Sequence, residues 1–133
     1  MVPDEEFHHF ELARSARQVV RAGGRVQLGS HGQLQGLAAH WELWMFVQGG
    51  MTELEAIRAA TIHGADYIGL GQDLGSIEPG KLADFVVLNL NPLEDIRNSE
   101  NVFMVVKNGR AWDSSLNELF PNERQRTTPR FQR

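Results

Sequence analysis

The chain has 133 residues, no cysteine, 13 Lys and Arg against 17 Asp and Glu, and a formal charge of −4. Its length and 41% hydrophobic content suit one packed domain. The missing cysteines exclude a disulfide framework, a thiolate zinc site and a Cys nucleophile, and they fit a reducing, cytoplasmic setting. Mild negative charge argues against a nucleic-acid partner. No apolar run reaches the roughly 20 residues of a membrane span, and the acidic start Met1–Glu6 is unlike a signal peptide. A complete eight-stranded α/β barrel needs about 250 residues, so the chain is too short to be one.

Asp4 reads as the N-cap of a first helix running to about Ala22, with Phe7, Phe10, Ala13, Ala16 and Val20 as its apolar stripe. Gly23-Gly24 stops it, and Arg25-Val26-Gln27-Leu28 then reads as a short strand. Gly29-Ser30-His31-Gly32-Gln33 forms a loop at that strand's carboxyl end. A second helix spans about Gln35 to Val47. Apolar residues surround it on nearly every side, which predicts deep packing. Gly49-Gly50 ends it. Thr52 opens a third helix through a capping box with Glu55, and Gly64 is expected to break or bend that helix.

From Leu74 the period falls from 3.6 towards 2. Pro79-Gly80 signals a turn, Ala83–Leu88 a largely buried strand, and Leu93–Ile96 a single helical turn. Val102–Val106 reads as another strand. Asn108-Gly109 is a type I′ hairpin signal that returns the chain through Arg110-Ala111-Trp112. Residues 114–133 carry four arginines and little apolar content, and read as a surface or poorly ordered tail.

The run Gly75-Ser76-Ile77-Glu78-Pro79-Gly80-Lys81-Leu82-Ala83-Asp84-Phe85-Val86-Val87-Leu88 carries a further message. With Asn91-Pro92 and Val106-Lys107-Asn108-Gly109-Arg110, it resembles the carboxyl-terminal signature of metal-dependent amidohydrolases of the imidazolonepropionase-like and TolB type. Gly50-Met51-Thr52, Glu55-Ala56 and Arg58-Ala59-Ala60-Thr61 resemble the helix preceding that signature, so the likeness covers about residues 19–113. It implies an α/β fold: the carboxyl-terminal fragment of a (β/α)₈ metallo-hydrolase barrel plus the carboxyl-terminal strands of its small β-sandwich. Residues 1–70 would supply the last helix–strand–helix units, with Arg25–Leu28 as the eighth strand. Residues 71–113 would supply the sandwich portion, and 114–133 the tail.

The resemblance also implies chemistry. In the family a divalent metal, usually zinc, activates water against an amide or ring C–N bond. Its ligands are a His-x-His pair after the first strand, a mid-barrel Lys or Glu, two later His and an Asp after the eighth strand. All but the last would lie upstream of Met1, so this chain alone is expected to bind no metal. His8-His9 has the wrong spacing for the pair.

His31 occupies the Asp position, which makes it the catalytic and metal-ligand candidate. Imidazole cannot offer the same anionic bridge as Asp, and the competing reading is a polar loop residue that caps the next helix. His40 is the substrate-contact candidate, against a preferred reading as a hydrogen-bonded structural histidine. His40 and Glu42, two apart on a helix, face different ways and are not expected to share a metal. His63 reads as a cation at a helix carboxyl end. Lys81 reads as a solvated turn residue, and Asp84 as one that fixes backbone amides.

Two functions follow. In one, the chain hydrolyses small C–N substrates only when an amino-terminal amidohydrolase fragment supplies the missing ligands. In the other, it is a non-catalytic, truncated module that covers its orphaned faces as a homo-oligomer.

Overall fold

The computed structural model describes residues 8–31 and 34–121. Four helices come first: α1 (His8–Arg21), α2 (Leu37–Gln48), α3 (Glu53–Ala60) and α4 (Ile62–Tyr67). An antiparallel sheet follows, built from β1 (Phe85–Leu88), β2 (Val102–Lys107), β3 (Arg110–Asp113) and β4 (Glu118–Leu119) in the spatial order β1-β2-β3-β4. A 3₁₀ helix (Ile96–Glu100) joins β1 to β2.

The predicted punctuation recurs in the backbone. Gly23 takes φ +84° after α1, and Gly50 takes φ +95° after α2. Gly49 has a steric role: a Cβ there would stand 2.5 Å from the Ala13 backbone, so only glycine lets α2's end approach α1 this closely. Thr52 and Glu55 form the complete capping box, with the Thr52 hydroxyl accepting from the Glu55 amide and the Glu55 carboxylate accepting from the Thr52 amide at 2.8 Å. Asn108 and Gly109 have φ of 50° and 73°, as a type I′ hairpin turn requires. The Glu78–Lys81 turn closes through Lys81 N–H to Glu78 O at 3.2 Å, with Gly80 at φ +95°.

Other expectations need correction. Residues Arg25–Leu28 carry no regular secondary structure and are not a strand. Among the described residues no strand pairs with them, and their backbone contact is Leu28 N–H to Ala59 O at 3.2 Å. The break after α3 falls at Thr61 rather than Gly64. Thr61 has φ −128° and ψ −99°, and its hydroxyl donates to Ile57 O at 2.7 Å, while Gly64 sits inside α4. The helical turn near Leu93 lies later, over Ile96–Glu100, because the Asp95 carboxylate accepts from Arg97 N–H and starts it there. The beginning of the tail is structured: Ala111 pairs with Leu119 and Trp112 with Glu118. The proposed Asp4 cap and the tail beyond Pro121 lie outside the described residues.

Leu43, Phe46, Met51, Ala56, Ala59 and Ile96 form the core, with Val20, Val26, Leu28 and Trp44 packed against it. Ile96 joins the sheet's connecting segment to the helices. α2 is less enclosed than its composition predicts, since Trp41 is 41% exposed. In the sheet, Val106 turns inward, while Val86, Phe103 and Val105 lie on the exposed face.

Candidate functional site

α2 organises the surroundings of both candidate histidines. His40 and Trp44, one helical turn apart, point to the same side. His40 Nδ1 lies 3.1 Å from Ser99 Oγ, and Trp44 Nε1 donates to Ser99 Oγ and to Ile96 O, each at 3.2 Å. Ser99 is buried, so its hydroxyl serves as an interior polar junction between α2 and the 3₁₀ helix. Arg97 stacks over the Trp44 ring with 5.3 Å from Cζ to the centroid. His40 is therefore hydrogen-bonded into the framework.

Glu42, two residues on, points the other way. Its carboxylate accepts from Gly29 N–H through both oxygens, at 3.0 and 3.2 Å. Gly29 follows the Arg25–Leu28 segment, and exposed His31 comes two residues later. Helix α2 is capped by Gly36 with no side-chain hydrogen bond, so His31 is not its cap. The structure thus separates the pair His40/Glu42, as their spacing predicts, and joins Glu42 to the His31 segment instead. That link was invisible in the sequence because Glu42 and Gly29 are 13 residues apart. Ser99 was missed for the same reason, at 59 residues from His40.

The opposite end of the segment is also held by side chains. Arg25 pairs with Asp66 on α4. His63 Nδ1 lies 3.3 Å from Val26 O. A carbonyl only accepts, so this contact requires the tautomer with its proton on Nδ1. His63 thus stands in the first turn of α4, not at a carboxyl end, because the helix is interrupted at Thr61. An open cleft of about 470 Å³ lies here, with Arg25, Arg58, His63, Asp66, Ser76 and Glu78 among its lining residues. It lies beside the amino end of the Arg25–His31 segment, away from His31.

The signature residues have structural partners. Lys81 is not the solvated turn residue expected: its side chain is 12% exposed, and Nζ donates to Gly71 O and Ser76 Oγ, each at 2.6 Å. Ser76 in turn donates to Glu78 at 2.5 Å. This bond and then the Lys81 charge hold the Glu78 carboxyl below its ordinary value. Asp84 binds Lys107 and accepts from Asn108 N–H at 2.6 Å, so it does fix a backbone amide, across the hairpin. Burial pushes the Asp84 carboxyl up, and these partners outweigh it to give a lowered value. Among the described residues, no three His, Asp or Glu side chains converge in a group that could hold a metal ion. Among the described residues no helix is long and apolar enough to cross a membrane.

The sequence pattern described as Amidohydrolase family matches residues 13–112. An imidazolonepropionase from Geobacillus sp. (strain WCH70) is 34% identical over 119 residues, covering 84% of this chain and 28% of that protein. A crystal structure of a Xaa-Pro dipeptidase with bound methionine in the active site superposes with a TM-score of 0.69 at 33% identity, covering 77% of this chain and 26% of the other. The structure of molinate hydrolase gives a TM-score of 0.68 at 28% identity over 90% of this chain and 30% of its own. The chain thus spans less than a third of the length of each of these relatives.

Proposed function

The chain belongs to the amidohydrolase family, and from that premise we propose that it supplies the carboxyl-terminal part of a hydrolase acting on C–N bonds. In this reading, residues 1–70 are the last helix–strand–helix units of a (β/α)₈ barrel. Residues 71–113 are the sandwich portion and 114–133 its tail. The Arg25–Leu28 segment becomes the eighth barrel strand once neighbouring strands lie on either side. An amino-terminal amidohydrolase segment, from a longer parent or a partner chain, provides those strands and most of the site.

The observation that carries the reading is the family match over residues 13–112 together with a segment, unpaired among the described residues, that leads to exposed His31. Loops at the carboxyl ends of barrel strands form the catalytic mouth, so His31 is the residue this chain contributes there. A divalent metal, zinc first, belongs to this family's chemistry. The described residues do not by themselves fit such an ion. His40, on α2, would contact substrate only by exchanging its Ser99 partner. Relatives include an imidazolonepropionase, a Xaa-Pro dipeptidase and a molinate hydrolase, and cyclic amides, dipeptides and carbamates are the small-molecule substrates to try.

The test is co-expression with an amino-terminal segment bearing His-x-His. Co-purification, stoichiometric metal and hydrolysis of one of those substrate classes are expected. A pair that neither associates nor binds metal overturns the proposal. A second reading, a non-catalytic homo-oligomer, is favoured by the exposed row Val86, Phe103 and Val105 and by Leu12, 69% exposed on α1. Light scattering that finds a monomer at all concentrations counts against it.

A further inference from the structure

The geometry points to Glu42 as the positioning residue for His31, acting through the backbone of Gly29. The inference rests on the reading of His31 as a residue of the catalytic mouth and deepens it. Three observations carry it. First, both Glu42 carboxylate oxygens accept from Gly29 N–H, at 3.0 and 3.2 Å. These are the only hydrogen bonds that Gly29, Ser30 and His31 make to other described residues. Second, a bond from an amide to a carboxylate is roughly twice as strong as one between neutral groups, so a single such contact can order a short segment. Third, Glu42 is itself aimed. The His40 and Trp44 face of α2 is tied to buried Ser99, which leaves Glu42, about 200° round the helix from His40, directed at the opposite side.

The clamp sits one residue after Leu28, whose amide is held by Ala59 O, and two residues before His31. The last fixed point before the imidazole is therefore Glu42's own bond. A histidine in this place needs such a tether more than an aspartate would. A neutral imidazole offers one unprotonated nitrogen in one direction, so its orientation decides what it can touch. Glu42 does not face the mouth as a reacting group in this account. It holds the chain that carries His31.

The test uses the 133-residue chain and nuclear magnetic resonance. In the parent, the Gly29 amide should exchange with solvent at least about tenfold more slowly than in an unstructured peptide. Glu42→Ala should abolish that protection, lower the His31 backbone order parameter and move its ring signals to those of a free histidine. The Trp44 indole signal should stay in place, since Ser99 and Ile96 hold it from the other face. Glu42→Gln keeps an acceptor oxygen and should restore His31 order. A role confined to overall stability would move the Trp44 signal as well and would show no such rescue.

Unchanged His31 signals in a folded Glu42→Ala chain overturn the inference. Where that variant does not fold, the parent's Gly29 amide decides: exchange at the unprotected rate overturns the clamp, and protection supports it. Failure of the co-expressed pair to bind metal overturns the reading of the mouth instead, and leaves the clamp measurable on its own terms.

Discussion

Arg25–Leu28 and Phe85–Leu88 are both four-residue stretches with the composition of a strand, and they reach different states. Phe85–Leu88 lies against β2, with Phe85 opposite Val106, Val86 opposite Val105 and Val87 opposite Met104. Arg25–Leu28 is no strand and is held by helices and side chains: Leu28 N–H on Ala59 O, Val26 O facing His63 and Arg25 paired with Asp66. The contrast teaches that a strand is a property of a pair. β1 meets its partner locally, through the 3₁₀ helix that joins it to β2. A parallel barrel strand needs neighbours delivered by crossovers from elsewhere, and the sheet in this chain is wholly antiparallel.

The largest expected effect concerns what the two regions share. Phe46 lies in the core with Ile96 from the sheet side, while Val26 and Leu28 pack against it. Phe46→Ala should cost about 3–5 kcal/mol in urea unfolding. It should do so in one transition; two separate transitions would show that the helical part and the sheet unfold independently. Next comes the contrast itself. Amides of central strand β2 should exchange at least about 100-fold more slowly than Gln27 N–H. Equal protection at Gln27 would mean that the segment is paired in solution, as a homo-oligomer would require.

Smaller effects separate the regions. Asp84→Ala removes the partner of Lys107 and Asn108 and should cost about 1–3 kcal/mol, with the loss centred on the β1–β2–β3 hairpin. Because the native Asp84 carboxyl is lowered, its contribution is complete above the ordinary value of 3.8 and disappears as pH falls through the lower native value. A difference from the parent that persists unchanged in stronger acid would refute that assignment. The smallest change is Thr52→Ala, at about 1 kcal/mol, confined to the helical region. The backbone bond from Thr52, partly opposed by burial and aided by the Thr52 hydroxyl, Arg21 and Arg17, lowers Glu55 from 4.5. The cap is therefore intact above that pH and weakens below it, which helicity followed through an acid titration would record.

Much of the layout was legible before any coordinates. The capping box at Thr52, the Asn108-Gly109 turn and the glycine stops at Gly23 and Gly50 all depend on residues whose own conformational limits or short-range partners dictate the outcome. The misplaced break at Gly64 shows the limit of such reasoning. Thr61 offers its hydroxyl to Ile57 O and ends α3 first, a competition that helix propensity alone does not rank. Lys81 looked solvated because its turn is exposed, but Gly71 O lies within reach of its ammonium only after the chain folds back.

The candidate site divides along the same line. That His31 follows an apolar β-patterned segment, and that its surroundings belong to an amidohydrolase, could be read from residue types and their order. Tertiary structure decided that Glu42 holds Gly29, that His40 turns to Ser99 and that Arg25–Leu28 stays unpaired. Caps and turns are contacts between near neighbours, written within a few residues of one another. A clamp, a buried junction or a strand pair depends on which distant groups packing brings within 3 Å, and apolar burial, which is non-directional, leaves that choice to the fold as a whole.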